Sequence, residues 1–402
     1  MVNRAESPVP MQKSKAEKLL WLDLLRGVTA FAVFIGHLRT LYFVDFAAIE
    51  ANVQTKVFFF LTGFGHQSVI IFFVLSGFFI AKTTQSAVDR HRWRFKDYLI
   101  NRIVRLETVL LPTLILGLCL DTIGLHFFAQ VESYAGQIPS LLYVSPVGKL
   151  DIVTFFGNVL FLQNIIADTF GTNAPLWSLA NEFWYYMIFP LLYFSLSPKY
   201  PLSKRLFLSL LVISILVFVG KMIALYFLIW AMGAVAFYVN QKYSAFLLSR
   251  PFLFKTILVI ASILLLSVLF CTRANVLVLF FNDYSLGFVT GLFVLMLSLC
   301  KMEKPFLKGI STYLSNISYT LYLIHIPAAM LLCAWISTER HTWNYTNLLS
   351  FFLLAIVIVL YATLSWYLFE RNTSHVKTWV KQVLNKLSTT FKDKKAVLDK
   401  TN

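Results

Sequence analysis

Charge is scarce in this chain. Only 13% of its 402 residues are Asp, Glu, Lys or Arg, about half the share of a soluble domain. Acidic residues are scarcer still, 19 against 35 basic ones. Cysteine is nearly absent: the four are Cys119, Cys271, Cys300 and Cys333, scattered in or beside apolar segments without a C-x-x-C. Such spacing points to neither a disulfide framework nor a metal site. Internal repeats and low-complexity stretches are missing. No cleavable leader is expected, because the apolar segment after Lys13, Lys15 and Lys18 is too long for a signal core and lacks a small-residue cleavage site.

Apolar residues fill the sequence instead, 58% of it, with a mean hydropathy of +0.72. Runs of 18 or more apolar residues recur, each long enough to cross a hydrocarbon core of about 30 Å. Helices close their own backbone hydrogen bonds in lipid. The fold expected is all-α and integral to the membrane, a single bundle of about ten transmembrane helices with both termini cytoplasmic. Hydropathy sets the spans near 19–43, 57–81, 99–120, 176–196, 206–220, 222–240, 252–271, 281–300, 313–336 and 348–369. A tail of residues 1–18 precedes the membrane domain at 19–371, and a basic amphipathic tail, 372–402, follows it.

The net charge of +16 is not a nucleic-acid footprint. The basic residues gather in tails and alternate loops: Arg4, Lys13, Lys15 and Lys18; Lys82, Arg90, Arg92, Arg94 and Lys96; Lys199, Lys204 and Arg205; Lys301, Lys304 and Lys308. That is the positive-inside pattern, and no recognition motif accompanies it. Two segments depart from the spanning pattern. Residues 151–166 are apolar but short, and read as re-entrant or interfacial on the outer side. Residues 375–390 place Val376, Trp379, Val380 and Val383 at helical spacing with lysines elsewhere on the wheel, which suits a helix lying on anionic membrane lipids.

Ionisable groups inside apolar segments are informative, since each costs roughly 2.5–3.5 kcal/mol at mid-span. The first span holds Asp23, Arg26 and His37. Arg26 and His37 share a helix face about 16 Å apart along the axis, and Asp23 lies one turn from Arg26, where it can pair. Read as structure alone, these are a snorkelling ion pair and an interhelical hydrogen bonder. Arg102 and Arg105 begin the third span as R-x-x-R; with Arg26 they supply three guanidinium groups at one depth, suited to phosphate. Trp177, Ser178 and Glu182 head the fourth span, and Glu182 is placed to orient His37 as a general base. His325 lies near mid-span ahead of Pro327, either a site residue or a core hydrogen bonder. Ser76 follows as a hydrogen bonder across helices, and Gly63, Gly65 and Gly77 allow close helix approach. Glu370 and Arg371 favour a structural reading, and His66 and His126 a solvated one.

These pieces, in order, resemble the acyltransferase-3 family of bacterial membrane O-acyltransferases. The matching residues are Arg26-x10-His37, FFVLSGF at 72–78, Arg102-x-x-Arg105, WSLANE at 177–182 with Pro190 beyond it, SYTLYLIHIP at 318–327 and YLFER at 367–371. The resemblance implies a multi-pass protein of the bacterial cytoplasmic membrane with no permanently bound cofactor. Its co-substrate would be acetyl-CoA or another short acyl-CoA, and its acceptor a hydroxyl of a glycan or lipid-linked glycan. It implies His37 as base, Arg26, Arg102 and Arg105 as acyl-CoA ligands, and Glu182 at the acidic position. Phe183 and Trp184 stand where many relatives carry a second polar pair. Unlike some relatives, the chain is expected to carry no hydrolase-like domain, and so to complete the transfer alone or hand the group to polysaccharide-assembly proteins. Two rival readings are a transporter of an acyl group or small organic anion, which makes no ester, and a non-catalytic scaffold.

Overall fold

The computed structural model describes residues 19–50, 52–138 and 145–401, with side chains described as far as residue 387. The basic tail at 1–18, with Arg4, Lys13, Lys15 and Lys18, lies outside the described residues. Twelve helices appear among those described: α1 (Leu20–Tyr42), α2 (Val53–Leu61), α3 (Gly65–Asp89), α4 (Phe95–Phe128), α5 (Ile152–Val159), α6 (Leu176–Ser195), α7 (Leu202–Leu248), α8 (Pro251–Arg273), α9 (Asp283–Leu297), α10 (Pro305–Ile336), α11 (Tyr345–Leu368) and α12 (Thr373–Thr401). No strand forms among the described residues, only two isolated bridges. Among the described residues, seven helical segments are long and apolar enough to cross a membrane. The protein is an all-α, multi-pass membrane protein.

Where the helices differ from the hydropathy spans, the cause is local. The span expected at 57–81 is broken after Leu61 and resumes at Gly65. Arg273, from the end of α8, donates to the Phe59 carbonyl at 3.1 Å. A cation thus satisfies an orphan acceptor at a helix C-terminus. Helix α7 holds two expected spans, separated at Gly220, whose φ of +80° is a conformation that favours glycine. Helix α6 is 20 residues long, but Asn181, Glu182 and a run of aromatics lower its hydropathy. Helix α5 has only 8 residues, a length of about 12 Å, too short to span. Asp151 caps it by accepting from the Val153 and Thr154 amides. Buried Asn158 and Gln163 then pin the following turn through Asp168, Phe170 and Leu176. Segment 151–175 is therefore a folded insert at one end of the bundle.

Helix α10 is the axis. Its most apolar stretch is 89% buried inside the protein, against 17% for the most apolar stretches of α7 and α8, so those stretches turn mostly outward, to lipid. Contacts climb α1 and α10 together, from Ser311 on Leu20 through Ser315 on Arg26 to His325 on His37. The two helices are therefore parallel and in register. Helices α3 and α7 cross with their backbones touching: a Cβ on Gly77 would meet the Trp230 carbonyl at 2.0 Å, and one on Gly233 the Val74 carbonyl at 1.8 Å. Small residues permit this approach where lipid offers no hydrophobic drive. Helix α12 packs beside the start of α4, with Lys381 bonded to Asp97 at 2.7 Å, so the first described helix and the last start at the same end.

Candidate active site

Arginines converge on one cavity. Arg26 from α1 and Arg102 and Arg105 from α4 line a space of about 170 Å³ with Ser76, Ser178 and Glu182. Apart from Ser318, its remaining wall is apolar and aromatic, from Phe72 and Phe79 on α3 to Tyr186, Tyr319 and Tyr322 on α6 and α10. A cavity of this kind, mostly apolar with a few converging polar groups, is the usual form of a small-molecule site.

Each guanidinium is held differently. Arg26 pairs with Asp23 at 3.3 Å and donates to the Ser315 hydroxyl, which itself donates to Asp23 at 3.2 Å. Arg105 pairs at 3.1 Å with Glu370, a buried carboxylate that also accepts from Thr320 at 2.6 Å. Arg102 donates to Thr83 at 3.0 Å and lies over the rings of Tyr98 and Tyr186, with no carboxylate partner among the described residues. The Nε atoms of Arg26 and Arg102 are buried and make no hydrogen bond. Unpartnered buried donors of this kind carry a cost that a ligand acceptor removes.

Glu182 does not reach His37. Its Oε1 accepts from Ser76 at 2.9 Å and from the Tyr186 hydroxyl, and Ser76 in turn accepts from the Trp230 indole at 3.1 Å. The expectation that Glu182 orients the imidazole is thus corrected. Helix α6 starts deep: Asn173 donates to the Leu323 carbonyl at 2.7 Å, and Ser178 meets the Tyr322 hydroxyl at 2.7 Å. Glu182 follows Ser178 by one turn and comes level with the arginines. His37 meets His325 instead, Nδ1 to Nε2 at 2.8 Å. Their ring centroids are 5.1 Å apart and their planes 11° apart, the geometry of an in-line hydrogen bond between ring edges.

The histidine pair lies outside the cavity lining. The nearest described link is Tyr322, which lines the cavity and whose ring centroid is 6.0 Å from that of His325. Trp177 also stands behind the lining, against Phe73 and Tyr226. His66, expected to be solvated, is half-exposed and bonded to Asp283 at 2.8 Å. Three residues not named as site candidates from the sequence, Tyr186 and, within the SYTLYLIHIP motif, Tyr319 and Tyr322, complete the site. Tyr186 was legible as the residue one turn beyond Glu182, and Tyr322 as the one a turn before His325. Glu370 was given a structural role; it also holds Arg105 in the cavity wall.

Among the described residues no cluster of His, Cys, Asp and Glu is arranged to hold a metal ion, and the four cysteines are free thiols. A family model described as an acyltransferase domain matches residues 19–370. No curated protein matches the chain, and no solved structure does.

Proposed function

The chain belongs to the acyltransferase-3 family and is a membrane acyltransferase; from that premise we propose that it moves a short acyl group, acetyl above all, from cytoplasmic acyl-CoA to a hydroxyl of a cell-surface or exported polysaccharide. The observation that carries the donor half is the cavity. Three guanidinium groups face it from two helices, two of them with orphan Nε donors, and such groups suit the phosphates of a coenzyme A thioester. An aromatic-lined cavity of about 170 Å³ takes one part of such a donor rather than the whole. In this reading the end with the basic loops faces the cytoplasm, as the positive-inside pattern favours, and the membrane is the bacterial inner one.

His37 lies three turns above Arg26 on the same face of α1, about 16 Å along the axis. In the proposed reaction the acceptor hydroxyl gives its proton to His37 as its oxygen bonds to the acyl carbon. The C–S bond then breaks, and the leaving thiolate takes the proton back from His37. Near neutral pH an imidazole is suited to both halves of that exchange. Glu182 and Ser76 belong to the donor cavity in this reading, and Asp23 holds Arg26 in place. Ser178 keeps Tyr322 in the wall between cavity and histidines, with Trp177 packed behind it.

The test is proton NMR of cell-surface polysaccharide from cells carrying wild type, His37→Ala or no protein. An acyl ester present with wild type alone is expected. An ester retained by His37→Ala overturns the base, and no ester in any sample overturns the glycan acceptor.

A further inference from the structure

Among the described contacts, four atoms on α1 and α10 bear on which nitrogen of His37 holds a proton. His325 is fully buried on α10, and its Nδ1 lies 2.9 Å from the Leu321 carbonyl oxygen. A carbonyl only accepts, so Nδ1 of His325 carries hydrogen. A second proton, on Nε2, would create a buried imidazolium with no carboxylate bonded to it among the described residues, which burial penalises heavily. His325 is therefore neutral, and its Nε2 is an acceptor. The 2.8 Å contact between that Nε2 and His37 Nδ1 must then be donated by His37.

We propose that His325 is a positioning residue: it fixes His37 as the Nδ1–H tautomer and so places the basic lone pair on His37 Nε2. This rests on the reading of His37 as the base. The arrangement does for His37 what a buried carboxylate does for a triad histidine, holding tautomer and ring plane. It does so without a second charge in the apolar interior. The His325 ring is itself held, with Phe34 edge-on at 6.0 Å and Tyr322 also at 6.0 Å. When Nε2 takes the acceptor's proton, the Nδ1 proton stays on the bond to His325, so a single proton moves and returns to the departing thiolate.

The experiment uses full-length protein in inverted membrane vesicles, with radiolabelled acetyl-CoA as donor and the vesicles' own glycan as acceptor. Elution profile and melting temperature check the fold of each variant. His325→Phe removes the acceptor atom, and kcat is expected to fall about 100-fold, within the range for lost general-base catalysis, while KM for acetyl-CoA stays within about twofold, because the arginine cavity is untouched. His325→Gln places an amide oxygen near the position of Nε2 and His325→Asn does not, so Gln should exceed Asn by about tenfold. Should Phe fail to fold, the comparison of Gln with Asn carries the test alone. Wild-type kcat in His325→Phe, equal rates for Gln and Asn, or a loss lying in KM each overturns the proposal. A wild type that labels nothing overturns the transferase reading and this proposal together, whereas a labelling wild type with an unaffected Phe variant overturns this proposal only.

Discussion

Replacing Gly77 by alanine puts one methyl group where α3 and α7 touch. The new Cβ would stand 2.0 Å from the Trp230 carbonyl oxygen and 3.1 Å from the Ala234 nitrogen. Ordinary contact needs about 3.4 Å, so the two helices must part by about 1.4 Å, enough to forfeit much of the dispersion between them. Both obstructing atoms are backbone and cannot swing aside. Overpacking costs about 1–3 kcal/mol. The neighbouring bond from Trp230 to Ser76, 3.1 Å long, is strained by the same movement and adds about 1 kcal/mol. A loss of about 2–4 kcal/mol is expected, read as a fall of roughly 2–5 °C in melting temperature in detergent. Gly309→Ala is the control: it lies in α10, and a Cβ there meets nothing within 4 Å. It should gain about 0.5–1 kcal/mol from helix propensity alone. If Gly77→Ala melts with the wild type, the backbone contact between α3 and α7 is wrong.

Two further predictions concern charge. Arg102→Lys keeps the positive charge but loses the planar fork, so KM for acetyl-CoA should rise about tenfold with kcat nearly unchanged; steady-state kinetics showing the loss in kcat alone would count against a donor role for this residue. At the other end of the bundle, Arg340 bridges Asp45 at 3.2 Å and Glu132 at 2.9 Å, its own side chain only 9% exposed. Arg340→Ala should cost about 1–2 kcal/mol, between exposed and buried pairs. Limited proteolysis should cut faster in the segments after α1 and α4, and unchanged cleavage would refute the bridge.

Much of the arginine-lined cavity was legible because it follows from positions along single helices. Arg26 and Asp23 pair one turn apart, and Arg102 and Arg105 share a face, as helical periodicity requires. The depth of α6 was not legible. It depends on Asn173 reaching the Leu323 carbonyl, 150 residues away, and hydropathy reports how apolar a segment is, not how far it sinks. That depth moved Glu182 from the histidine to the arginines. The break at 62–64 was hinted at by Gly63 and Gly65, but the cation that completes it comes from α8.

By itself the sequence determined the solvent, the helical class and the face shared by Arg26 and His37, because apolar length and a 3.6-residue period are local properties of the chain. Only the tertiary structure decided which groups meet across helices. His37 and His325 lie 288 residues apart, and their contact exists because α1 and α10 run parallel in one register. That register is set by packing along the whole buried face of α10, where no single residue carries the signal.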